Sequence, residues 1–148
     1  MTEREATRPL RVLFVCVENS NRSQMAEAFA RMHGGERVEA YSAGSNPSGR
    51  VNPKAIRAMA EIGCDLASHR SKALADLPRV EFDAAVTMGC GDACPMVDAR
   101  RRVDWEIPDP RDMDEGGFRG VRDLIERRVR SLLAELGGAP AIRADRTP

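Results

Sequence analysis

The sequence predicts an α/β fold built on a parallel sheet, and three observations lead there. Strand-like and helix-like segments alternate along the chain, as parallel strands joined by crossovers require. The first strand-like run, Val12-Leu13-Phe14-Val15, is apolar throughout, as expected of a strand buried on both faces. Residues with chemistry to offer (Cys16, Cys90, Cys94 and Asp109) each follow a strand-like run, and open α/β sheets set their sites at the carboxyl ends of their strands.

Each element has its own signal. Met1 to Arg8 are polar, so residues 1–9 are expected to form a flexible N-terminal segment. Leu10 to Val15 is the first strand. Arg22 to Met32 reads as a helix, with Met25, Phe29 and Met32 on one stripe and Gly34-Gly35 ending it. Val38 to Ser42 fits a second strand. Asn52-Pro53 starts a helix, a cap residue followed by proline at the first helical position, and Gly63 stops it. Phe82 to Met88 is a third strand and Val103 to Ile107 a fourth. In the last helix Val121, Leu124, Ile125, Val129, Leu132, Leu133 and Leu136 recur at helical spacing before Gly137-Gly138. One domain is expected over 10–137, followed by a disordered tail at 138–148 that carries no apolar periodicity.

Composition excludes several classes. Lys+Arg and Asp+Glu number 23 each, so no global charge favours nucleic acid or an anionic membrane, and any anion preference must be local. The longest apolar run, Val12 to Val17, falls far short of a membrane span, and a cytoplasmic location is the expectation. In that setting the four cysteines read as reduced, reactive thiols rather than a disulfide framework. No repeat divides the chain, and no helix-turn-helix pattern with a basic face supports an oxyanion sensor that binds DNA. The run Arg100-Arg101-Arg102 reads as a solvated face.

The segment Cys16-Val17-Glu18-Asn19-Ser20-Asn21-Arg22-Ser23 lies between the first strand and the first helix. A loop of that length can wrap a tetrahedral anion with its backbone N–H groups, so Val17, Glu18, Asn19, Ser20, Asn21 and Arg22 are the candidate substrate-binding residues. The helix adds its positive end, and Arg22 a planar fork able to bind two oxygens. The same field favours the thiolate of Cys16, making it the candidate nucleophile. Ser23 is placed to donate a hydrogen bond to that thiolate, and Asn19 to shape the loop by tolerating a left-handed backbone. Cys90 and Cys94 sit in Met88-Gly89-Cys90-Gly91-Asp92-Ala93-Cys94-Pro95. A zinc site there lacks ligands, because the two histidines, His33 and His69, form no ligand pair; no metal is expected.

These residues carry a family resemblance. Val15 to Glu27 resembles the phosphate loop of the low-molecular-weight protein tyrosine phosphatase superfamily. Tyr41-Ser42-Ala43-Gly44, Val51-Asn52-Pro53-Lys54-Ala55-Ile56, Ser68-His69-Arg70-Ser71 and Ile107-Pro108-Asp109-Pro110 extend the match over Leu10 to Leu136. Within the superfamily the chain is most similar to the arsenate reductases that use a relay of three cysteines. The resemblance implies a four-stranded parallel sheet with helices on both faces and a reduction of arsenate to arsenite. Cys16 would attack arsenic, with Arg22 neutralising the oxyanion. Cys90 would attack the adduct to leave a Cys16–Cys90 disulfide, and Cys94 would then form Cys90–Cys94. Asp109 matches the family's general acid. No bound cofactor is implied: electrons would come from thioredoxin or from a low-molecular-weight thiol of the mycothiol or glutathione type, serving a monomer. Three residues separate Cys90 from Cys94, closer than the best-known pattern.

The alternative is a phosphatase acting on phosphotyrosine or small phosphate esters, which would use Cys16, Arg22 and Asp109 but has no need of Cys90 or Cys94. Arg111 stands after Asp109-Pro110, where those phosphatases usually carry an aromatic residue. Some relatives hold potassium beside the loop. Asn19, Glu27 and Ser42 match that set, but Arg70 and Lys72 stand where oxygen ligands would be; a lysine ammonium can fill a monovalent cation's place, and Lys72 reads equally well as a solvated surface charge. Cys64, after Gly63, reads as structural.

Overall fold

The computed structural model describes residues 8–89 and 97–137, and within them one parallel sheet carries the site. Its strands are β1 (Leu10–Cys16), β2 (Val38–Gly44), β3 (Ala84–Thr87) and β4 (Arg102–Asp104), in the order β2-β1-β3-β4. All pairings are parallel; β1 runs alongside β2 from Leu10↔Val38 to Cys16↔Gly44 and alongside β3 from Val12↔Ala84 to Val15↔Thr87. From β1 the chain moves to one side of the sheet and then returns across β1 to β3. The strand order therefore reverses beside β1, which opens a crevice at its carboxyl end.

The helices are α1 (Arg22–Gly34), α2 (Pro53–Ala60) and α3 (Glu115–Leu136). Successive side chains of a strand point to opposite faces, and β1 uses both. Val12, Phe14 and Cys16 join the main core with Met25 and Phe29 of α1, Met59 of α2, and Phe118, Ile125 and Leu133 of α3. Leu13 and Val15 face a second cluster with Ala43, Phe82, Ala85 and Ala99, against which Leu74, Leu77 and Val80 pack. The sequence led us to expect helices on both faces. The described residues put the three α-helices with the first cluster and a single 3-10 turn, Leu74–Asp76, with the second. Phe14, Phe29, Met25, Ile125 and Leu133 are completely buried, each contributing about 1.5–3 kcal/mol of transfer free energy.

Local chemistry sets the helix ends. Asn52 caps α2, its side chain accepting from the Lys54 N–H, with Pro53 behind it. Asp114 caps α3 by accepting from the Gly117 N–H, and Gly137 closes that helix in the left-handed conformation. The sequence signal for this helix begins only at Val121, because Gly116, Gly117 and Gly120 dilute the apolar stripe in the first two turns. The third strand is shorter than Phe82 to Met88: Phe82 makes only an isolated bridge to Ala99, and on the β1 side the Asp83 carboxylate takes the Arg11 N–H. The fourth strand is Arg102–Asp104 rather than Val103 to Ile107. Past Trp105, whose N–H still donates to the Thr87 carbonyl, the chain leaves the edge of β3, and Ile107 is buried by packing, not pairing. Arg8 reaches Asp83 with its guanidinium at 3.1 Å, which anchors the chain just before β1. Cys90, Cys94, residues 1–7 and the tail 138–148 lie outside the described residues.

Candidate active site

β1 delivers Cys16 to the carboxyl end of the sheet, where the thiol is buried. The chain then turns back on itself through Asn19, whose φ of 52° makes it the one non-glycine residue in the left-handed region among those described. Asparagine tolerates this conformation better than most residues. Gly44, ending β2, lets the turn lie flat on the sheet: a Cβ there would stand 2.6 Å from the Val17 carbonyl oxygen and 3.0 Å from the Asn19 nitrogen.

The loop's carbonyls all find partners on its outer side. Those of Cys16, Val17, Glu18 and Ser20 accept from the N–H groups of Ser45, Asn46, Ser48 and Asn52 at 2.8–3.1 Å. A trans peptide points its N–H opposite its C=O, so the N–H groups of Val17, Glu18, Asn19 and Asn21 are turned inward. The cause of that inward ring is the outer strap of residues 45–52, and amides so turned can receive an anion.

Arg22, at the start of α1, is almost fully buried and held on three sides. Its Nη1 donates to the Ile107 carbonyl at 2.9 Å, and Nη2 lies 3.8 Å from Asp109 Oδ2. Gly89 backs it: a Cβ at that position would run into the guanidinium, and its φ of 82° independently favours glycine. Asp109 is itself oriented by the Arg111 N–H, which donates to its Oδ1 at 3.0 Å, and the Arg111 carbonyl accepts from Lys54 Nζ at 3.0 Å. Together Cys16, Val17, Glu18, Ser20, Asn21, Arg22, Gly89, Asp109 and Arg111 line a cavity of about 360 Å³. At its mouth Arg111 Nη1 meets Glu18 Oε2 at 3.2 Å. A more apolar cavity of about 280 Å³ between α2 and the start of α3, lined by Ala58, Met113 and Phe118, holds none of the reactive groups.

Behind the cavity, Ser23 Oγ stands 2.9 Å from Cys16 Sγ, and Asn19 Nδ2 donates to the same Ser23 oxygen at 2.7 Å. The Asn19 side chain therefore braces the loop from outside the pocket. Its Oδ1 accepts from Gln24 Nε2 and from the Lys72 N–H. His69 Nδ1 lies 3.0 Å from Gln24 Oε1, and burial pushes this imidazole below its ordinary value, opposed by the nearby Glu27 carboxylate. Neither Gln24 nor the contact of Gly89 with Arg22 was legible in sequence. A glutamine in a helix's first turn carries no motif, and a glycine contact across the fold has no local signal.

The Lys72 ammonium answers the question of a monovalent cation. Its Nζ lies 3.3 Å from Ser42 Oγ, 3.3 Å from the Arg70 carbonyl and 3.6 Å from Glu27 Oε1. It stands among the oxygens that would otherwise surround a potassium ion, so these residues do not fit one. Cys64 is half-buried at the end of α2, away from the pocket, and its burial pushes the thiol up.

Residues 11–140 match the family described as low molecular weight phosphotyrosine protein phosphatase. A glutaredoxin arsenate reductase of Synechocystis sp. is 35% identical over 129 residues, covering 85% of this chain and 98% of that protein. An arsenate reductase of Halalkalibacterium halodurans is 38% identical over 136 residues, 85% of this chain and 96% of its own length. Among solved structures, an arsenate reductase in a phosphate-binding state superposes with a TM-score of 0.78 at 35% identity, covering 85% of this chain and 98% of that one. A thioredoxin-dependent arsenate reductase of Corynebacterium glutamicum gives 0.72 at 30%, over 91% of this chain and 66% of that one.

Proposed function

The chain belongs to the low molecular weight phosphotyrosine protein phosphatase family, and from that premise we propose that it reduces arsenate to arsenite, for arsenic detoxification, through Cys16, Cys90 and Cys94. One observation carries the reading: the Cys16 thiol lies in a cavity ringed by inward-turned amides and the Arg22 guanidinium. That environment binds a tetrahedral oxyanion and sets a sulfur nucleophile against it. The similar proteins described above are arsenate reductases, which favours reduction over ester hydrolysis.

The chemistry runs as follows. The Cys16 thiolate attacks arsenic(V) and forms an S–As bond, while one oxygen leaves as water after taking a proton from Asp109, whose carboxylate accepts that proton from the entering hydrogen arsenate. Arg22 and the loop amides balance the oxyanion charge throughout. Cys90, as thiolate, attacks Cys16 Sγ; the S–As bond breaks with its electron pair going to arsenic, and arsenite leaves. Cys94 attacks Cys90, returning Cys16 as thiolate and leaving a Cys90–Cys94 disulfide. An external dithiol reduces that disulfide, so two electrons pass from the dithiol to arsenic per turnover. Nothing bound to the protein is needed to store those electrons.

Thioredoxin is the reductant in this reading, supported by the thioredoxin-dependent relative. The glutaredoxin-named relative supports a second, a glutathione- or mycothiol-type thiol. Either reductant belongs to a cytoplasm that keeps thiols reduced; among the described residues no helix is long and apolar enough to cross a membrane. The test is arsenate-dependent NADPH oxidation with thioredoxin and thioredoxin reductase, and in parallel with glutathione or mycothiol and its glutaredoxin and reductase. Multiple turnover by the native chain, lost in Cys90→Ser and in Cys94→Ser, is the expected result. No turnover with either system, beside brisk hydrolysis of an aryl phosphate that both variants retain, would overturn it in favour of a phosphatase.

A further inference from the structure

We propose that Gln24, itself oriented by His69, is a positioning residue that fixes the direction of the hydrogen bond from Ser23 to the Cys16 thiolate. The inference rests on Cys16 as the nucleophile and follows from the polarity of groups whose donors and acceptors are not in doubt.

The amide of Gln24 can be oriented first. Its Nε2 faces the backbone carbonyls of Arg70 at 2.8 Å and Asn19 at 3.2 Å. Carbonyls only accept, so the NH₂ group must lie on that side and Oε1 on the other. Oε1 then meets His69 Nδ1 at 3.0 Å, which makes Nδ1 the protonated nitrogen of the imidazole. Asn19 follows by the same logic. Its Oδ1 is met by the Lys72 backbone N–H at 2.9 Å and by Gln24 Nε2 at 2.8 Å, both donors, so its Nδ2 is the atom turned to Ser23.

Ser23 is completely buried, and its hydroxyl has two neighbours among the described residues, Asn19 Nδ2 and Cys16 Sγ. The first is a donor. The hydroxyl hydrogen therefore has one place to go, the sulfur, where it stabilises the thiolate and would be misplaced for a thiol donating to oxygen. The chain of bonds runs one way: His69 to Gln24, Gln24 to Asn19, Asn19 to Ser23, Ser23 to Cys16. Gln24 is the side chain on which the direction depends most, because it is wholly buried and its amide joins His69 and the Arg70 carbonyl to Asn19, beside the Lys72 N–H. Without it, Asn19 Oδ1 keeps the Lys72 N–H as its one donor, and the Asn19 amide is held less firmly against turning its oxygen toward Ser23. The hydroxyl would then donate to Asn19 and leave the sulfur.

The charged groups facing the thiol are Arg22 in its own loop, and Glu18, Asp109 and Arg111 around the cavity; those facing His69 are Glu27, Arg31, Lys72 and Asp65. None of these is altered by a neutral substitution at Gln24.

The experiment measures iodoacetamide alkylation of Cys16 in the full chain against pH, read by mass spectrometry of the Cys16 peptide. The native chain is compared with Gln24→Met, Ser23→Ala and the double variant. Gln24→Met, which keeps most of the volume, should move the midpoint of the alkylation curve up by about one pH unit. In the Ser23→Ala background it should move nothing further, because the route through the hydroxyl is already cut. Equal shifts in both backgrounds, or no shift in a folded Gln24→Met, would overturn the proposal. If Gln24→Met does not fold, His69→Leu is measured instead, with a smaller upward shift expected and the same dependence on Ser23. The readout needs neither arsenate nor a reductant, so a failure here is separate from a failure of the proposed reaction.

Discussion

Replacing Lys72 by methionine removes the ammonium that stands beside Glu27 and keeps much of the side chain's volume. Glu27 is 3% exposed, and its carboxylate holds three partners: Ser42 Oγ and Arg31 Nη2, each at 2.5 Å, and Lys72 Nζ at 3.6 Å. At an effective dielectric of about 20, unit charges at that separation attract by roughly 4–5 kcal/mol. Desolvation of the partly buried ammonium opposes this, and Arg31 remains to balance the carboxylate, so the net loss comes to about 2 kcal/mol, below the usual range for an uncompensated buried charge. For a domain of this size that is a fall in Tm of roughly 4–8 °C. Thermal unfolding is followed in potassium chloride and in tetramethylammonium chloride at equal ionic strength. The native chain should melt at the same temperature in both. Lys72→Met should melt lower, and potassium alone should restore part of the loss by occupying the oxygens the ammonium has left. Specific stabilisation of the native chain by potassium would refute the reasoning, as would a Lys72→Met variant as stable as the native chain.

Two further outcomes are expected. Gly89→Ala pushes a methyl group into the Arg22 guanidinium and strains a left-handed backbone, so kcat/KM for arsenate should fall about a hundredfold while the fold survives, as checked by circular dichroism. Glu61, paired with Arg119 and Arg122, is held down to about 2 from 4.5. Its folded value is depressed, so the stability it contributes is present above about pH 4.5 and is lost as pH falls toward 2. Glu61→Gln should therefore lower Tm at pH 7 and match the native chain near pH 2, which a series of melts across that range decides.

The nucleophile loop was legible because its function demands contiguous residues: Cys16, Arg22 and Ser23 must follow one another to close a turn around an anion. The buried strand before it was legible for the same local reason. What escaped the sequence is what crosses it. Gln24 looks like any polar residue in a helix's first turn until His69, forty-five positions on, is seen against its oxygen. The edge strand β4 was misjudged at both ends because its limits are set by the three residues of β3 that it pairs with, not by its own apolar content. The start of α3 was hidden behind glycines that an aspartate cap outweighs. Lys72 lay between: its charge was visible at the right position in the chain, but only the fold supplies the Arg70 carbonyl and Ser42 hydroxyl that make it a cation among oxygens.

The Asp109 carboxylate beside Arg22 has a consequence for which anions the pocket will take. A guanidinium that already faces a carboxylate is not a bare positive charge waiting for any passing anion. Binding becomes an exchange, in which the entering oxyanion must outcompete a singly charged group built into the protein. Chloride, nitrate or acetate offer no more charge than the one they would displace and cannot fill the ring of inward amides. A doubly charged tetrahedral oxyanion gains on both counts. The resting protein thus sets a threshold of charge and shape, and arsenate clears it in a solution where simpler monoanions are far more abundant.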